Sequence, residues 1–187
     1  GPSKSYIQMK SFMYQETKAW HKLIDKLASN MADYLLYQVE SGAMAVQIFD
    51  SWVGILSRED YQEYVFPHMQ KMMQEIKNRT DVPVVLFGTN SSHLLQAMKA
   101  TGADVIGIDW KTDMAAAWKD MNYEVAVQGN LDPTLLFADF DLIEKRANAI
   151  LDSMPDKAGF IFNLGHGILP KTPEENVRRL VNLVQGK

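Results

Sequence analysis

Five short apolar runs recur along this chain, and each stops abruptly at polar or glycine residues before a stretch of helical periodicity begins. Runs 43–49, 82–87, 104–108, 124–127 and 160–162 end in Asp50-Ser51-Trp52, Gly88-Thr89-Asn90, Asp109-Trp110, Gln128-Gly129-Asn130 and Asn163-Leu164-Gly165-His166-Gly167 respectively. Runs this short and this apolar read as strands covered on both faces. Covered strands that alternate with helices form a parallel sheet, because each parallel connection must cross over the sheet. The expected class is therefore α/β.

The intervening segments carry the crossovers. From about residue 12 to 39, Trp20, Leu23, Ile24, Leu27, Met31, Tyr34 and Leu35 recur at three- and four-residue spacing, which predicts one long helix with a single apolar face. Ser57-Arg58-Glu59-Asp60 then supplies a cap and first-turn acids for a helix presenting Tyr61, Val65, Met69, Met72 and Ile76. Methionines and aromatics at this spacing read as core. Further helices are expected from near Ser91, from Asp132-Pro133, and after Thr172, where Glu175 three residues on completes a capping box. Nothing resembling a repeat or linker divides residues 1–187, so a single domain is expected.

With 187 residues, 47% of them hydrophobic, the chain is large enough for one sizeable core. A net charge of −4 with scattered Lys and Arg argues against nucleic acid or an anionic membrane as partner. The absence of cysteine excludes disulfides, thiolate–metal sites and a cysteine nucleophile. No apolar run approaches the ~20 residues needed to span a bilayer, and no signal-peptide pattern opens the sequence, so a soluble cytoplasmic protein is expected. The opening Gly1-Pro2-Ser3 lacks an initiator methionine and reads as a processed or excised start.

In parallel α/β folds the ligand lies beyond the carboxyl ends of the strands, which makes the five polar strand ends the candidate site. Each residue alone has a local alternative: Asp and Asn cap helices, and Ser51 could serve a turn. His166 sits between two glycines that would let a ligand approach the backbone, though the same glycines could simply form a tight turn. Neither G-x-G-x-x-G after a strand nor a P-loop occurs, which removes the dinucleotide reading. A (β/α)₈ TIM barrel fits better, but it needs eight units and typically ~250 residues. About five are present, and the missing three are expected before Gly1.

Taken together, Phe49-Asp50-Ser51-Trp52, Ile108-Asp109-Trp110, Gln128-Gly129-Asn130-Leu131-Asp132-Pro133 and Asn163-Leu164-Gly165-His166-Gly167-Ile168-Leu169-Pro170 resemble the uroporphyrinogen decarboxylase family of haem biosynthesis. The resemblance implies a (β/α)₈ barrel, a cytosolic homodimer and a carbon–carbon lyase without metal or cofactor. Such an enzyme converts four acetate side chains of uroporphyrinogen to methyls, giving coproporphyrinogen. It implies that Ser51 hydrogen-bonds a substrate carboxylate and that His166 contacts a carboxylate and is a candidate for proton transfer. Asp50, Asp109, Gln128, Asn130 and Asn163 are further strand-end candidates. The family's substrate-binding arginines, an aspartate for the pyrrole N–H groups and a site tyrosine belong to the first part of the barrel. The five arginines here, Arg58, Arg79, Arg146, Arg178 and Arg179, fall in helices or loops, so this chain alone is expected to be inactive.

Two other readings compete. The related corrinoid or thiol methyltransferases share the barrel but hold zinc with cysteine and histidine, and this chain has no cysteine. A non-catalytic fragment or interaction module is the second. His21, His68 and His93 lie in helical stretches and read as surface or packing residues.

Overall fold

The computed structural model describes residues 6–154 and 158–186. Five strands, β1 (Val46–Phe49), β2 (Val84–Phe87), β3 (Val105–Gly107), β4 (Ala126–Leu131) and β5 (Phe160–Leu164), form one sheet in chain order, with every neighbouring pair parallel. A doubly wound sheet reverses its order at a switch point; a barrel wall does not. The helices are α1 (Ile7–Gln15), α2 (Thr17–Glu40), α3 (Arg58–Tyr64), α4 (Phe66–Lys77), α5 (Leu95–Ala100), α6 (Met114–Asp120), α7 (Phe140–Ser153) and α8 (Glu174–Gln185). This is the (β/α)₈ architecture with about five of its eight units.

Register separates two faces. Ile48, Leu86, Ile106, Val127 and Phe160 are aligned across the strands and face the helices. Of these, Leu86, Ile106 and Val127 are at most 1% exposed, at the centre of the core. The next row, Phe49, Phe87, Gly107, Gln128 and Ile161, lies on the opposite face, where Phe49 is 69% exposed. This face is concave. The Gln128 Nε2 amide donates to Gln47 Oε1 at 3.3 Å although β2 and β3 lie between their strands. In a flat sheet three strand spacings would hold them roughly 14 Å apart. The expected methionine-rich core is present: Met13, Met73, Met98 and Met121 are all fully buried. A second cluster around Leu131, Leu136, Ile143 and Leu180 seats α7 and α8 beside β4 and β5.

Several expected boundaries moved, each for a local reason. The long helix over 12–39 is two helices broken at Glu16, where the Thr17 hydroxyl takes the Met13 carbonyl at 3.1 Å and competes with the backbone ladder. The helix after Ser57 keeps its cap, with Asp60 N–H donating to the Ser57 hydroxyl at 3.0 Å, but breaks at Val65. Pro67, at the start of α4, has no N–H and clashes with the preceding turn, so it can open a helix but not continue one. Asp132-Pro133 opens a 3₁₀ turn rather than α7, with Asp132 Oδ1 accepting from Thr134 N–H at 2.8 Å. Pro173, not Thr172, occupies the cap of α8, and the Thr172 hydroxyl is buried without a partner. On α2, Trp20 and Leu35 are buried, but Leu23, Leu27, Met31 and Tyr34 remain exposed. No helix among the described residues is long and apolar enough to cross a membrane.

Candidate functional site

At the carboxyl ends of the strands, on the concave face, lies a cavity of about 490 Å³. Ser51, two residues past β1, and His166, two past β5, line it together, although those strands are opposite edges of the sheet. The same curl that joins Gln47 to Gln128 brings them together. Gln128 and Asn163 add amides to the lining, and Phe49 and Phe87 make its apolar floor.

His166 is held by rings. Its imidazole stands 6.3 Å from the Phe87 ring at 66° and 6.0 Å from the Trp110 ring at 88°. Phe87 in turn meets Phe49 at 6.1 Å and 68°. Edge-to-face contacts of this kind fix the plane of an imidazole without engaging its nitrogens. Among the described residues neither ring nitrogen has a hydrogen-bond partner, so both are available to a ligand. The two glycines flanking His166 do different work. A Cβ on Gly165 would fall onto the Trp110 backbone, so Gly165 lets the loop after β5 close over the end of β3; a Cβ on Gly167 would meet nothing within 4 Å.

The other strand-end candidates divide. Gln128 and Asn163 reach the cavity, and Asn163 Oδ1 also accepts from Leu164 N–H at 2.8 Å. Asp109 and Asn130 do not line it. Asp109 is 2% exposed, and its carboxylate accepts from the Asn90 N–H at 2.6 Å, the Lys111 N–H at 3.2 Å and the Thr112 hydroxyl at 3.1 Å. The Asn130 amide donates to the carbonyls of Asp109 at 2.8 Å and Thr112 at 2.7 Å. Together they tie the ends of β2, β3 and β4 and so hold the loop that carries Trp110. Asp50 faces a different cavity, beside α2, where burial pushes its carboxyl pKa up to about 6.

Gln47, Phe49 and Phe87 line the cavity but lie in strand bodies, outside the strand-end search. Gln47 carried a signal all the same: it is the one polar residue in the run 43–49. The remaining histidines pack. His21 Nδ1 and His68 Nε2 share a hydrogen bond at 2.9 Å between α2 and α4, and His93 Nε2 bonds the Leu56 carbonyl at 2.8 Å. None of the arginines lines the cavity; Arg79 pairs with Asp33, Arg178 with Glu174, and Arg179 lies over Phe140.

A curled parallel sheet in chain order, with polar and aromatic side chains converging beyond its strand ends, is part of the wall of a (β/α)₈ barrel. The chain belongs to the uroporphyrinogen decarboxylase (URO-D) family, whose model matches residues 1–186. It is 46% identical to the uroporphyrinogen decarboxylase of Koribacter versatilis, over 98% of this chain and 52% of the relative. For the Chloroflexus aggregans enzyme the identity is 48%, over 99% and 53%, and for the Thermus thermophilus enzyme 46%, over 99% and 54%. The chain thus spans about half the length of the curated relatives it matches. Among solved structures, a methyltransferase from Methanosarcina mazei superposes with a TM-score of 0.84 at 23% identity, covering 97% of this chain and 55% of that one. Xanthomonas albilineans dihydropteroate synthase gives a TM-score of 0.55 at 18% identity, over 84% and 60%. At these identities the two structures speak for the fold alone.

Proposed function

We propose that residues 1–187 act as a single unit, one wall of a uroporphyrinogen decarboxylase, and that the chain is inactive without the remainder of the barrel. The observation that carries the reading is the convergence of Ser51, Gln128, Asn163 and His166 on one cavity floored by Phe49 and Phe87. A tetrapyrrole bearing carboxylates suits this wall, with pyrrole faces against the phenylalanines and acid groups against the hydroxyl, amides and imidazole. The substrate has eight carboxylates, and the absence of arginine from the lining supports a second, cationic wall supplied from elsewhere in the barrel. A homodimer in the cytoplasm is part of the same reading, supported by the family resemblance.

In this chemistry a proton adds to a pyrrole ring carbon, and the carbon–carbon bond to the carboxylate breaks. Carbon dioxide leaves, and the released electron pair neutralises the pyrrolium. Proton uptake at the exocyclic carbon with loss of the ring proton then restores the pyrrole and leaves a methyl group. One proton is consumed per acetate. The substrate is its own electron sink, so the protein orients, delivers protons and stabilises charge. Ser51 donates its hydroxyl to a carboxylate. His166, with neither ring nitrogen engaged among the described residues, can donate to a carboxylate or pass a proton.

The test compares coproporphyrinogen formation by this 187-residue chain with that of the same chain joined to the portion of the Chloroflexus aggregans relative it does not span. Turnover only in the joined protein is expected. Turnover by the chain alone would overturn its inactivity, and a folded joined protein without turnover would overturn the decarboxylase reading.

A further inference from the structure

A second cavity, about 800 Å³, runs between α2 and the outer edge of β1. Its walls are apolar: Ile24, Leu27, Met31 and Tyr34 of α2 face Ile48 and Trp52. Three of these, Leu27, Met31 and Tyr34, are among the four half-exposed residues that break the expected burial of α2. Water-exposed apolar grooves of this extent mark surfaces meant to be covered. The adjoining strand edge is also unfinished. The amides of Val46 and Asp50 bond to Pro83 and Phe87 of the β2 side, at 3.0 and 2.8 Å. Alternation along a parallel strand therefore turns the amides of Gln47 and Phe49 towards the free edge, a template for another strand.

One charged group sits in this apolar setting. The Asp50 carboxyl lines the groove, and among the described residues no hydrogen bond or cation reaches it. Burial alone pushes its pKa up, and its charge adds to the burial that raises the pKa of the nearby Tyr61 phenol, itself buried without a hydrogen-bond partner. A desolvated carboxylate of this kind is costly unless a cation joins it. An apolar trough ending in a carboxylate fits the aliphatic stem and charged head of a Lys or Arg side chain.

We propose that this groove receives a strand from the half of a family-length chain that these residues do not span, and that the incoming segment places a Lys or Arg head against Asp50. The proposal rests on the half-barrel reading above, and the length of the relatives, about twice the span matched here, supplies the occupant. It assigns Asp50 to assembly of the barrel, not to the reaction.

The experiment uses the 187-residue chain and the joined protein described above, each with Asp50 intact and as Asp50→Asn. At pH 8 the substitution relieves an unpaired, half-buried charge in the chain alone, so its thermal midpoint rises by about 5 °C. In the joined protein the same substitution removes one partner of an ion pair, so the midpoint falls. The Gln47 and Phe49 amides, fast-exchanging in the chain alone, become protected by at least a hundredfold in the joined protein. A shift of the same sign in both proteins overturns the ion pair. Unprotected amides in the joined protein, or their protection in a dimer of the chain alone that persists on dilution, overturn the occupant. Turnover without sign reversal sinks this proposal and leaves the decarboxylase reading; sign reversal and protection without turnover do the opposite.

Discussion

The ring of Phe87 on β2 lies 6.3 Å from the ring of His166, which follows β5, although β3 and β4 separate their strands. The loop after β5 therefore bends inward over the concave face and rests its imidazole on the sheet. Phe87→Leu removes the ring face while keeping most of the volume. It should cost the chain less than about 1.5 kcal/mol. The His166 ring protons, followed by NMR, should lose their aromatic shielding, and catalytic efficiency in a complete enzyme should fall severalfold. Unaltered His166 resonances would mean that Trp110 alone positions the imidazole.

Gly107 makes room for that arrangement. A Cβ there would stand 2.8 Å from Phe87 Cδ2 and 2.9 Å from its Cβ. Gly107→Ala should therefore push the Phe87 ring out of line and cost about 1–3 kcal/mol, read as a lower denaturation midpoint. A neutral result would show that the ring can yield without strain.

Asp50 and His68 line the same groove and give stability opposite pH dependences. Burial holds the Asp50 carboxyl at about 6, above its value of ~3.9 in an unfolded chain. The folded state keeps that proton longer, so this contribution is complete below about pH 4 and is lost as the pH rises through 6. Its scale is about 3 kcal/mol. His68 is shifted the other way, down from 6.5, first by burial and then by His21, with Lys71 adding to the shift and Asp25 opposing it. The unfolded chain protonates first there, so stability is lost as the pH falls below about 6.5. Urea titrations across pH 4–8 should show Asp50→Asn stabilising only above about pH 5, and His68→Gln flattening the loss below pH 6.5. Reversal of either trend would contradict the burial of that group.

What was legible in the sequence follows from what repeats. The five strands, the parallel sheet and the candidacy of Ser51 and His166 came from apolar runs ending in polar groups, a pattern written in consecutive residues, and the barrel from the family motifs at those ends. The breaks at Glu16 and Val65 did not, because hydrophobic periodicity runs through both; only the Thr17 hydroxyl and Pro67 marked them. Asp109 and Asn130 share the strand-end signature of Gln128 and Asn163, and a linear pattern cannot tell a side chain turned to the cavity from one turned to a neighbouring loop. Gln47 escaped because its cavity contact depends on the curl of the sheet, a property of all five strands together.

The central claim is that Ser51 and His166, on opposite edges of this sheet, act on one bound tetrapyrrole. Its most direct test is the catalytic efficiency for uroporphyrinogen of a complete enzyme carrying this segment, with Ser51→Ala and His166→Ala measured singly and together. The account predicts a loss of at least about tenfold for each, the range of one lost hydrogen bond to a charged group, and a double variant that departs from the product of the two. Unchanged efficiency in both single variants, with the fold intact, would remove this wall from the site.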